Sequence, residues 1–376
     1  MKIKSILIIV FYIICTTANA QINNTELEKK ESISEVSIDE KIGQLLLFGI
    51  GSSTSIEENN KFLKSVKANK LGGILIYEKN ISKDSSKRKL KKLIKKFKDA
   101  SKTPLLVSID EEGGRVNRLK PKYGYPKTVS AYYLGQTNNL DSTKHYSDLI
   151  AHNLYLNGIN VNYAPVLDFH NPSSPPLGKM ERCFSDDAEV IIKHGRQVIE
   201  SHRYFNIKTV LKHFPGHGNS QKDSHLDVTD VSKYWKPEEL IPYQRLIAEN
   251  KVDAIMTAHI VNNKLDSLLL PATLSKKVMT GLLREQMGFD GVIISDDMHM
   301  KAISDHYGFE QAIEMCLNAG VDILMFSNNI AKDLEIVPED VIVKIKKMIT
   351  EGKITEERIE TSYQRILKFK ESLKER

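Results

Sequence analysis

Short apolar runs recur along the chain, each followed by polar residues and then, in most cases, by a stretch with helical spacing. The eight runs occupy residues 42–49, 72–77, 105–110, 161–168, 209–213, 254–259, 292–297 and 323–326. They are rich in Ile, Val and Leu, as is typical of strands buried on both faces of a parallel sheet. The pattern therefore predicts eight parallel strands.

Amphipathic segments with helical spacing separate most of these runs. They occupy residues 86–100, 142–156, 187–205, 237–249, 275–287, 310–319, 339–351 and 355–373. Strands that alternate with helices predict an α/β fold, here a single-domain (β/α)8 TIM-like barrel. A doubly wound open sheet is the competing interpretation, but it often carries a Gly-rich phosphate turn. The comparable pair Gly113-Gly114 follows three acidic residues, which would repel phosphate.

The N-terminus has the composition of a secretory signal. Lys2 and Lys4 precede ten apolar residues at 6–15, and Ala18-Asn19-Ala20 then forms a small-x-small cleavage site. Ten apolar residues are too few to span a bilayer. Residues 1–20 are therefore predicted to be a cleaved signal peptide, with export across the inner membrane to the periplasm or beyond.

Two alternatives to a cleaved signal stay open, namely an uncleaved anchor and a lipoprotein attached at Cys15. Bulky Ile14 argues against the lipoprotein, because a small residue is expected before the modified cysteine. No linker or composition break divides the rest of the chain. Residues 21–376 are therefore predicted to form a single catalytic barrel domain without a stable membrane anchor.

Composition and charge are those of a globular protein and argue against nucleic acid as a partner. The 376 residues are 41% hydrophobic and 27% charged, as in ordinary globular proteins. The formal net charge of +6 falls to +4 when Lys2 and Lys4 are removed, and the excess lies largely in the lysine-rich segment 82–102. This segment is interpreted as a solvated helix face rather than a nucleic-acid site. Cys183 and Cys316 could form one disulfide or remain two buried thiols.

Ionisable residues end five of the eight runs. These ends are Asp110-Glu111-Glu112, Asp168, Lys212-His213, Thr257-Ala258-His259 and Ser295-Asp296-Asp297. In a parallel barrel the carboxyl ends of the strands form the face on which enzymes keep their chemistry. The loop after Lys212-His213 adds His217, Asp223 and His225, so we expect an active site here.

Three kinds of site could use these residues. A hydrolytic metal site is the first, with the candidate ligands His213, His217, His225, His259 and Asp296. The first run, however, leads into residues 49–53 without the paired histidines of metal-dependent amidohydrolase barrels. A glycosidase is the second, with Asp296 as a nucleophilic carboxylate and Asp223 orienting His225 as a proton shuttle. The third is a sugar-binding site without activity.

Five motifs in a fixed order connect the chain with a known family. They are Asp-Glu-Glu-Gly-Gly-Arg-Val-Asn-Arg at 110–118, Asn-Tyr-Ala-Pro-Val-Leu-Asp at 162–168, Lys-His-Phe-Pro-Gly-His-Gly at 212–218 with Asp-Ser-His at 223–225, Met-Thr-Ala-His at 256–259, and Ser-Asp-Asp-Met at 295–298. With them the chain resembles glycoside hydrolase family 3, in its β-N-acetylglucosaminidase (β-hexosaminidase) branch. The resemblance covers about residues 37–328.

The resemblance implies a retaining double displacement. Asp296 would be the nucleophile that forms a covalent glycosyl-enzyme, although Asp297 could be the actor with Asp296 as a cap. His225 would be the general acid and then the base, and Asp223 would orient it. A neighbouring carboxylate would also raise the pKa of the imidazole and help it to donate a proton.

The resemblance also assigns substrate-binding residues. The positions that match sugar-binding residues are Asp110, Arg118, Arg182, Lys212 and His213. Ion pairs at the barrel mouth are the alternative explanation for them. The residues expected to support them from behind are Glu112, Asp168, His217, His259 and Asp297.

Two positions depart from the family pattern. The usual Arg-Ser-Phe-Gly reads Arg182-Cys183-Phe184-Ser185, which keeps the arginine, and Met298 stands where leucine usually follows the nucleophile motif.

The sequence thus predicts an exo-β-N-acetylhexosaminidase that releases terminal β-linked N-acetylglucosamine from peptidoglycan fragments or chitin oligomers. It is expected to need no metal and no cofactor, to bind a carbohydrate and no nucleic acid, and to be a monomer. The alternatives are a β-glucosidase or glycoside phosphorylase of the same family, a metal-dependent barrel hydrolase, and an inactive sugar-binding protein.

Overall fold

Eight parallel strands close into a barrel in the computed structural model, which describes residues 36–57, 60–221, 228–329, 335–371 and 373. The barrel strands are β1 (Leu46–Gly49), β2 (Gly73–Ile76), β3 (Leu106–Ile109), β4 (Val161–Asn162), β5 (Lys208–Phe214), β7 (Ala254–Thr257), β9 (Val292–Asp297) and β10 (Ile323–Phe326). Strands β6 (Thr229–Asp230) and β8 (Ile260–Val261) pair separately. Around the barrel the order is β1-β2-β3-β4-β5-β7-β9-β10, and β10 pairs with β1. The predicted (β/α)8 barrel is confirmed.

Helices surround the barrel at the predicted places. The α-helices are α1 (Ile38–Gln44), α2 (Lys61–Lys67), α3 (Ser86–Ala100), α4 (Ala131–Thr137), α5 (Leu140–Asn157), α6 (Ala188–Tyr204), α7 (Ile241–Ala248), α8 (Lys301–Tyr307), α9 (Phe309–Ala319), α10 (Pro338–Thr350) and α11 (Glu356–Glu371). A π-helix spans Lys277–Gln286, and a 3₁₀ turn at Pro237–Leu240 precedes α7. The short helices α1, α2, α4 and α8 were not predicted, because two turns give too little periodicity.

Strand β4 is shorter than the predicted run. Its ladder ends at Asn162, and Pro165 has no N–H group to continue it. Pairing resumes at Val166, which bridges to Lys212, and the backbone N–H of Leu167 donates to the carbonyl of Lys212 at 2.8 Å. The carboxyl end of this segment therefore still brings Asp168 to the barrel mouth.

The lysine-rich segment is helix α3, as predicted. It buries Leu90, Leu93, Ile94 and Phe97, while most of its lysines are exposed or half-buried. This arrangement is that of an amphipathic surface helix whose charged face is solvated.

Three remaining predictions concern cysteines and the membrane. Cys183 and Cys316 are both free and buried, so the disulfide alternative is wrong. The predicted signal peptide at 1–20 lies outside the described residues. Over the ranges that the structure describes, the helices are too short or too polar to cross a bilayer.

Candidate active site

A cavity of about 540 Å³ opens at the carboxyl ends of the strands. Its lining consists of Tyr77, Asp110, Val116, Arg118, Pro175, Pro176, Met180, Arg182, Lys212, His213, Met256, Asp296, Asp297, His299, Met300, Met325, Ser327 and Asn329. The structure thus brings together all five predicted sugar-binding residues and the predicted nucleophile, and its volume is typical of small-molecule sites.

Lys212 lies at the centre of the ionic side of the cavity. Strand β5 carries it inward, so only 2% of its side chain is exposed. Its ammonium contacts Asp110 Oδ1 at 2.8 Å and Glu112 Oε1 at 2.6 Å. One buried cation therefore holds two carboxylates in place.

Arg182 closes the same network from the loop after β4. Its guanidinium donates to both Glu112 oxygens at 2.8 and 2.9 Å, a bidentate pair of the strongest geometry. Arg118 approaches Asp110 Oδ2 at 3.4 Å and stacks over the Tyr77 ring at 5.8 Å from the ring centroid. Ion pairs at the barrel mouth therefore join four of the predicted sugar-binding residues.

The two carboxylates of this network are ionised at neutral pH. Burial alone would raise their pKa values, but nearby cations outweigh it. Lys212 and Arg118 hold the pKa of Asp110 well below its usual range. Arg182 and Lys212 lower the pKa of Glu112 to about 2. Both groups are therefore pure hydrogen-bond acceptors, and Asp110, which lines the cavity, is suited to hydroxyl donors.

Glu111 anchors the loop that presents Arg118. Its buried Oε2 accepts the backbone N–H groups of Arg118 at 2.7 Å and Leu119 at 3.0 Å. Burial raises the pKa of Glu111 to about 7. The sequence marked this residue only as part of an acidic run, because nothing local indicated that it points inward.

Asp168 fixes the turn after β5. Its Oδ2 contacts His213 Nδ1 at 2.7 Å, and its Oδ1 accepts the backbone N–H of His217 at 2.7 Å. A proton on Nδ1 of His213 leaves Nε2 to accept from Arg182, at 3.3 Å. Asp168 therefore holds His213, one of the predicted sugar-binding residues, from behind.

His217 also lies behind the cavity. Its Nδ1 contacts the hydroxyl of Ser220, and its ring packs edge-on against His213 with 5.7 Å between the ring centroids. Burial and the neighbouring His213 lower the pKa of His217 to about 4. It is a neutral packing partner outside the cavity lining.

Asp296 and Asp297, at the end of β9, have different surroundings. Asp297 Oδ1 accepts the backbone N–H groups of Ser327 at 2.9 Å and His299 at 3.1 Å. Asp296 Oδ1 accepts the N–H of Asp297 at 2.8 Å, and its carboxylate lines the cavity. Asp297 lines the cavity as well, but its Oδ1 is held by two backbone donors and caps the turn after β9.

His259 supports this strand end from inside the barrel. Its Nδ1 contacts Thr273 Oγ1 at 2.8 Å, and its Nε2 lies 3.0 Å from the carbonyl oxygen of Asp297. Both ring nitrogens are therefore used within the protein, and His259 stays out of the cavity lining.

Comparison with known proteins identifies the family. Residues 37–369 match the family model described as the glycosyl hydrolase family 3 N-terminal domain. The chain belongs to glycosyl hydrolase family 3. It is therefore a glycoside hydrolase, as the motifs predicted, and by homology it groups with the β-hexosaminidases.

Curated relatives are about a third identical to this family 3 chain over the stretches that align. The β-hexosaminidase of Tolumonas auensis is 33% identical over 262 residues, which are 69% of this chain and 76% of that protein. The β-hexosaminidase A of Pseudoalteromonas piscicida is 31% identical over 324 residues, 81% of this chain but only 54% of the relative.

Solved family 3 structures share the barrel. A β-N-acetylglucosaminidase from Paenibacillus sp. superimposes with a TM-score of 0.82 at 30% identity and covers 90% of this chain and 63% of that one. The β-N-acetylglucosaminidase from Thermotoga maritima gives a TM-score of 0.72 at 28% identity, over 87% of this chain and 66% of that one. The chain thus spans about two thirds of these two proteins.

Some residues of this family 3 site were not predicted, and two predicted ones are not described. Tyr77 and the methionines Met256, Met300 and Met325 line the cavity, but apolar and aromatic residues at strand ends do not stand out in a sequence.

Asp223 and His225 lie outside the described residues. Elsewhere, in the part of the chain that the structure describes, no three His, Cys, Asp or Glu side chains are grouped to hold a metal ion.

Proposed function

We propose that the chain is a retaining exo-β-N-acetylhexosaminidase that releases terminal β-linked N-acetylglucosamine. The observation that carries this proposal is a single cavity with a carboxylate, Asp296, on one side and the buried cluster of Asp110, Arg182 and Lys212 on another. The amino-sugar preference is supported by relatives whose names are β-hexosaminidase or β-N-acetylglucosaminidase.

Asp296 performs the first displacement in this proposal. Its carboxylate oxygen attacks the anomeric carbon, the glycosidic C–O bond breaks, and a glycosyl-aspartate forms. The hydrogen bond from the N–H of Asp297 orients the carboxylate, and the N–H of Asp296 itself donates to Thr257 Oγ1 at 3.2 Å. The strand end is thereby aimed before substrate arrives.

His225 handles the protons, with Asp223 orienting it. The imidazolium gives its proton to the leaving oxygen, and the neutral imidazole then removes a proton from water. That water attacks the anomeric carbon, which releases the sugar and regenerates the Asp296 carboxylate. This assignment rests on the Asp-Ser-His motif at 223–225.

The ionic cluster binds the hydroxyls of the terminal sugar. Ionised Asp110 accepts from hydroxyl hydrogens, while Arg118, Arg182 and Lys212 donate to hydroxyl oxygens. His213, held by Asp168, adds a further contact. We propose peptidoglycan fragments or chitin oligomers as the natural source, met in the periplasm or outside the cell after removal of residues 1–20.

Turnover of 4-nitrophenyl N-acetyl-β-glucosaminide tests the proposal. Asp296→Ala should lower kcat by about 10⁴-fold, because the covalent route is lost. The control is Asp290→Ala, since Asp290 is exposed (76%) and precedes the same strand. Turnover should survive a chelator and need no phosphate.

Other results would point to other functions. Loss of activity with a chelator and its return with zinc would indicate a metal-dependent hydrolase. Faster turnover of the β-glucoside would indicate a glucosidase, and phosphate-dependent product a phosphorylase. Binding of sugars without turnover of any glycoside would indicate an inactive binding protein.

A further inference from the structure

His299 is a buried histidine whose ring has no hydrogen-bond partner. It follows strand β9, three residues after Asp296, and lines the cavity. Only 9% of its side chain is exposed. Among the described residues neither ring nitrogen has a partner, and Asp297 Oδ1, 3.5 Å from Nδ1, is too distant for a good hydrogen bond. Because such groups are costly to bury, this one requires an explanation.

The ring is nevertheless held firmly. It packs edge-on against Phe326, with 5.5 Å between the ring centroids. The backbone N–H of His299 donates to Asp297 Oδ1 at 3.1 Å, which fixes the turn. Packing thus positions the imidazole at the cavity wall, while both ring nitrogens stay unpaired among the described residues.

The wall around His299 carries three methionines together with the carboxylates of Asp296 and Asp297, and the cations lie on the other side of the cavity. Met256 lies in β7, Met300 follows β9 and Met325 lies in β10. The cations of the cavity and Asp110 lie on β5 and in the loops after β3 and β4, whereas Asp296 and Asp297 end β9. By the strand order, these sets occupy two different arcs of the barrel mouth. The methionine arc also carries Asp296.

An acetamido group matches this arc. When Asp296 attacks the anomeric carbon, the neighbouring ring carbon brings its acetamido substituent close to the residues that flank Asp296. Its methyl group suits methionine side chains, and its amide offers one donor and one acceptor. Burial lowers the pKa of His299, so the ring is neutral and offers one acceptor and one donor in return.

We infer that His299 contacts the acetamido group of the substrate and determines the preference for N-acetylhexosaminides over hexosides. This inference rests on the proposed hexosaminidase function and names the residue that recognises the acetamido group. Hydroxyl contacts on the ionic arc are common to both sugars, so discrimination has to come from the other arc. A site that hydrogen-bonds a substrate group discriminates strongly against analogues that lack it.

His299→Leu tests the inference through a ratio of rates. The value of kcat/KM for 4-nitrophenyl N-acetyl-β-glucosaminide should fall about 10- to 100-fold, while that for the β-glucoside should change by less than about 3-fold. His299→Asn, which keeps a donor and an acceptor, should recover part of the preference. The matched control is His170→Leu, because His170 Nδ1 also lacks a partner but lies outside the cavity lining.

Two kinetic outcomes would overturn the inference. Equal losses on both substrates would mean that His299 only supports the turn of Asp296. An unchanged ratio would mean that another group reads the substituent.

Calorimetric binding of free N-acetylglucosamine and glucose separates this inference from the proposed function. A wild-type protein that cleaves no N-acetylglucosaminide would refute the function. Even then, loss of binding preference for N-acetylglucosamine in His299→Leu would support the role of His299, and an unchanged preference would overturn it.

Discussion

Two buried ionic clusters lie at opposite ends of the barrel and have different tasks. The mouth cluster comprises Asp110, Glu112, Arg182 and Lys212, with contacts down to 2.6 Å. The base cluster comprises Arg284, Asp322 and Arg358, with contacts of 2.5 and 3.1 Å to the aspartate. Both are dense networks of paired charges, so pairing alone does not distinguish a binding site from a structural one.

The clusters differ in the contacts and the exposure of their aspartates, Asp322 and Asp110. Asp322 is fully buried, and besides the two arginines it accepts from the backbone N–H of Ile293 at 3.0 Å and from Ser362 Oγ at 2.7 Å. Asp110 is 20% exposed and faces the cavity. A saturated cluster ties helices to strands, whereas one that opens to a cavity can also bind a ligand. Barrel enzymes divide their two ends in this way.

The largest effect is expected from Lys212→Met at the mouth. Two carboxylates lose their shared cation, so unfolding free energy should fall by about 3–5 kcal/mol. The value of kcat/KM should fall about 10- to 100-fold, because charge-assisted hydrogen bonds to the sugar are lost as well. Urea denaturation and chromogenic assays measure the two quantities. Normal activity in a destabilised variant would mean that the mouth cluster is structural like the base cluster.

Asp322→Asn at the base should lower the stability of the fold without lowering the activity. The variant leaves Arg284 and Arg358 without a carboxylate, which should cost about 3–5 kcal/mol of stability. At a temperature where the variant is folded, kcat/KM should stay within about 2-fold of wild type, since the cavity is at the other end. A large loss of kcat/KM in the folded variant would contradict the division of tasks between the two clusters.

Lys370→Met should have a smaller, stabilising effect. The buried ammonium of Lys370, on α11, contacts only neutral oxygens among the described residues, Gln44 Oε1 at 2.6 Å and the carbonyl of Gly72 at 2.8 Å. Both acceptors have a second donor, Thr103 Oγ1 and the N–H of Leu106. Replacing an uncompensated buried charge with an apolar side chain should therefore stabilise the fold, by about 1–4 kcal/mol at pH 7.

The same residue predicts a pH dependence of stability. Burial lowers the pKa of Lys370 to about 7, whereas an unfolded lysine titrates near about 10.4. Between these values the unfolded state binds more protons, so stability should rise with pH from about 7 to about 10. The advantage of Lys370→Met should shrink over that range in urea titrations. An advantage independent of pH would mean that the lysine is charged in the folded protein.

The barrel could be predicted from the sequence because fully buried strands leave an unbroken apolar signature. Each of the eight runs overlaps a barrel strand, and long helices such as α3 and α6 match the predicted segments to within a residue at either end. The first run was too long, since Ile42 belongs to helix α1. There the apolar residues face the barrel from a helix, and periodicity over so few residues cannot separate the two.

The ionic half of the site was also predictable, because charged residues at the ends of apolar strands stand out and the family motifs name them. The roles of Glu111 and His299 could not be predicted. Glu111 supports Arg118 through backbone contacts seven and eight residues away, and His299 gains its meaning only from the cavity around it. Such roles depend on how deeply a side chain is buried and on where it points in the folded protein, and the order of residues in the sequence shows neither.

Trapping the covalent intermediate tests the central claim most directly. The protein is incubated with an activated 2-fluoro glycoside, its intact mass is measured, and the labelled peptide is mapped. The account predicts one added glycosyl group on Asp296, absent from Asp296→Ala and present in Asp290→Ala. A label on Asp297 or another residue, or turnover without any covalent adduct, would contradict it.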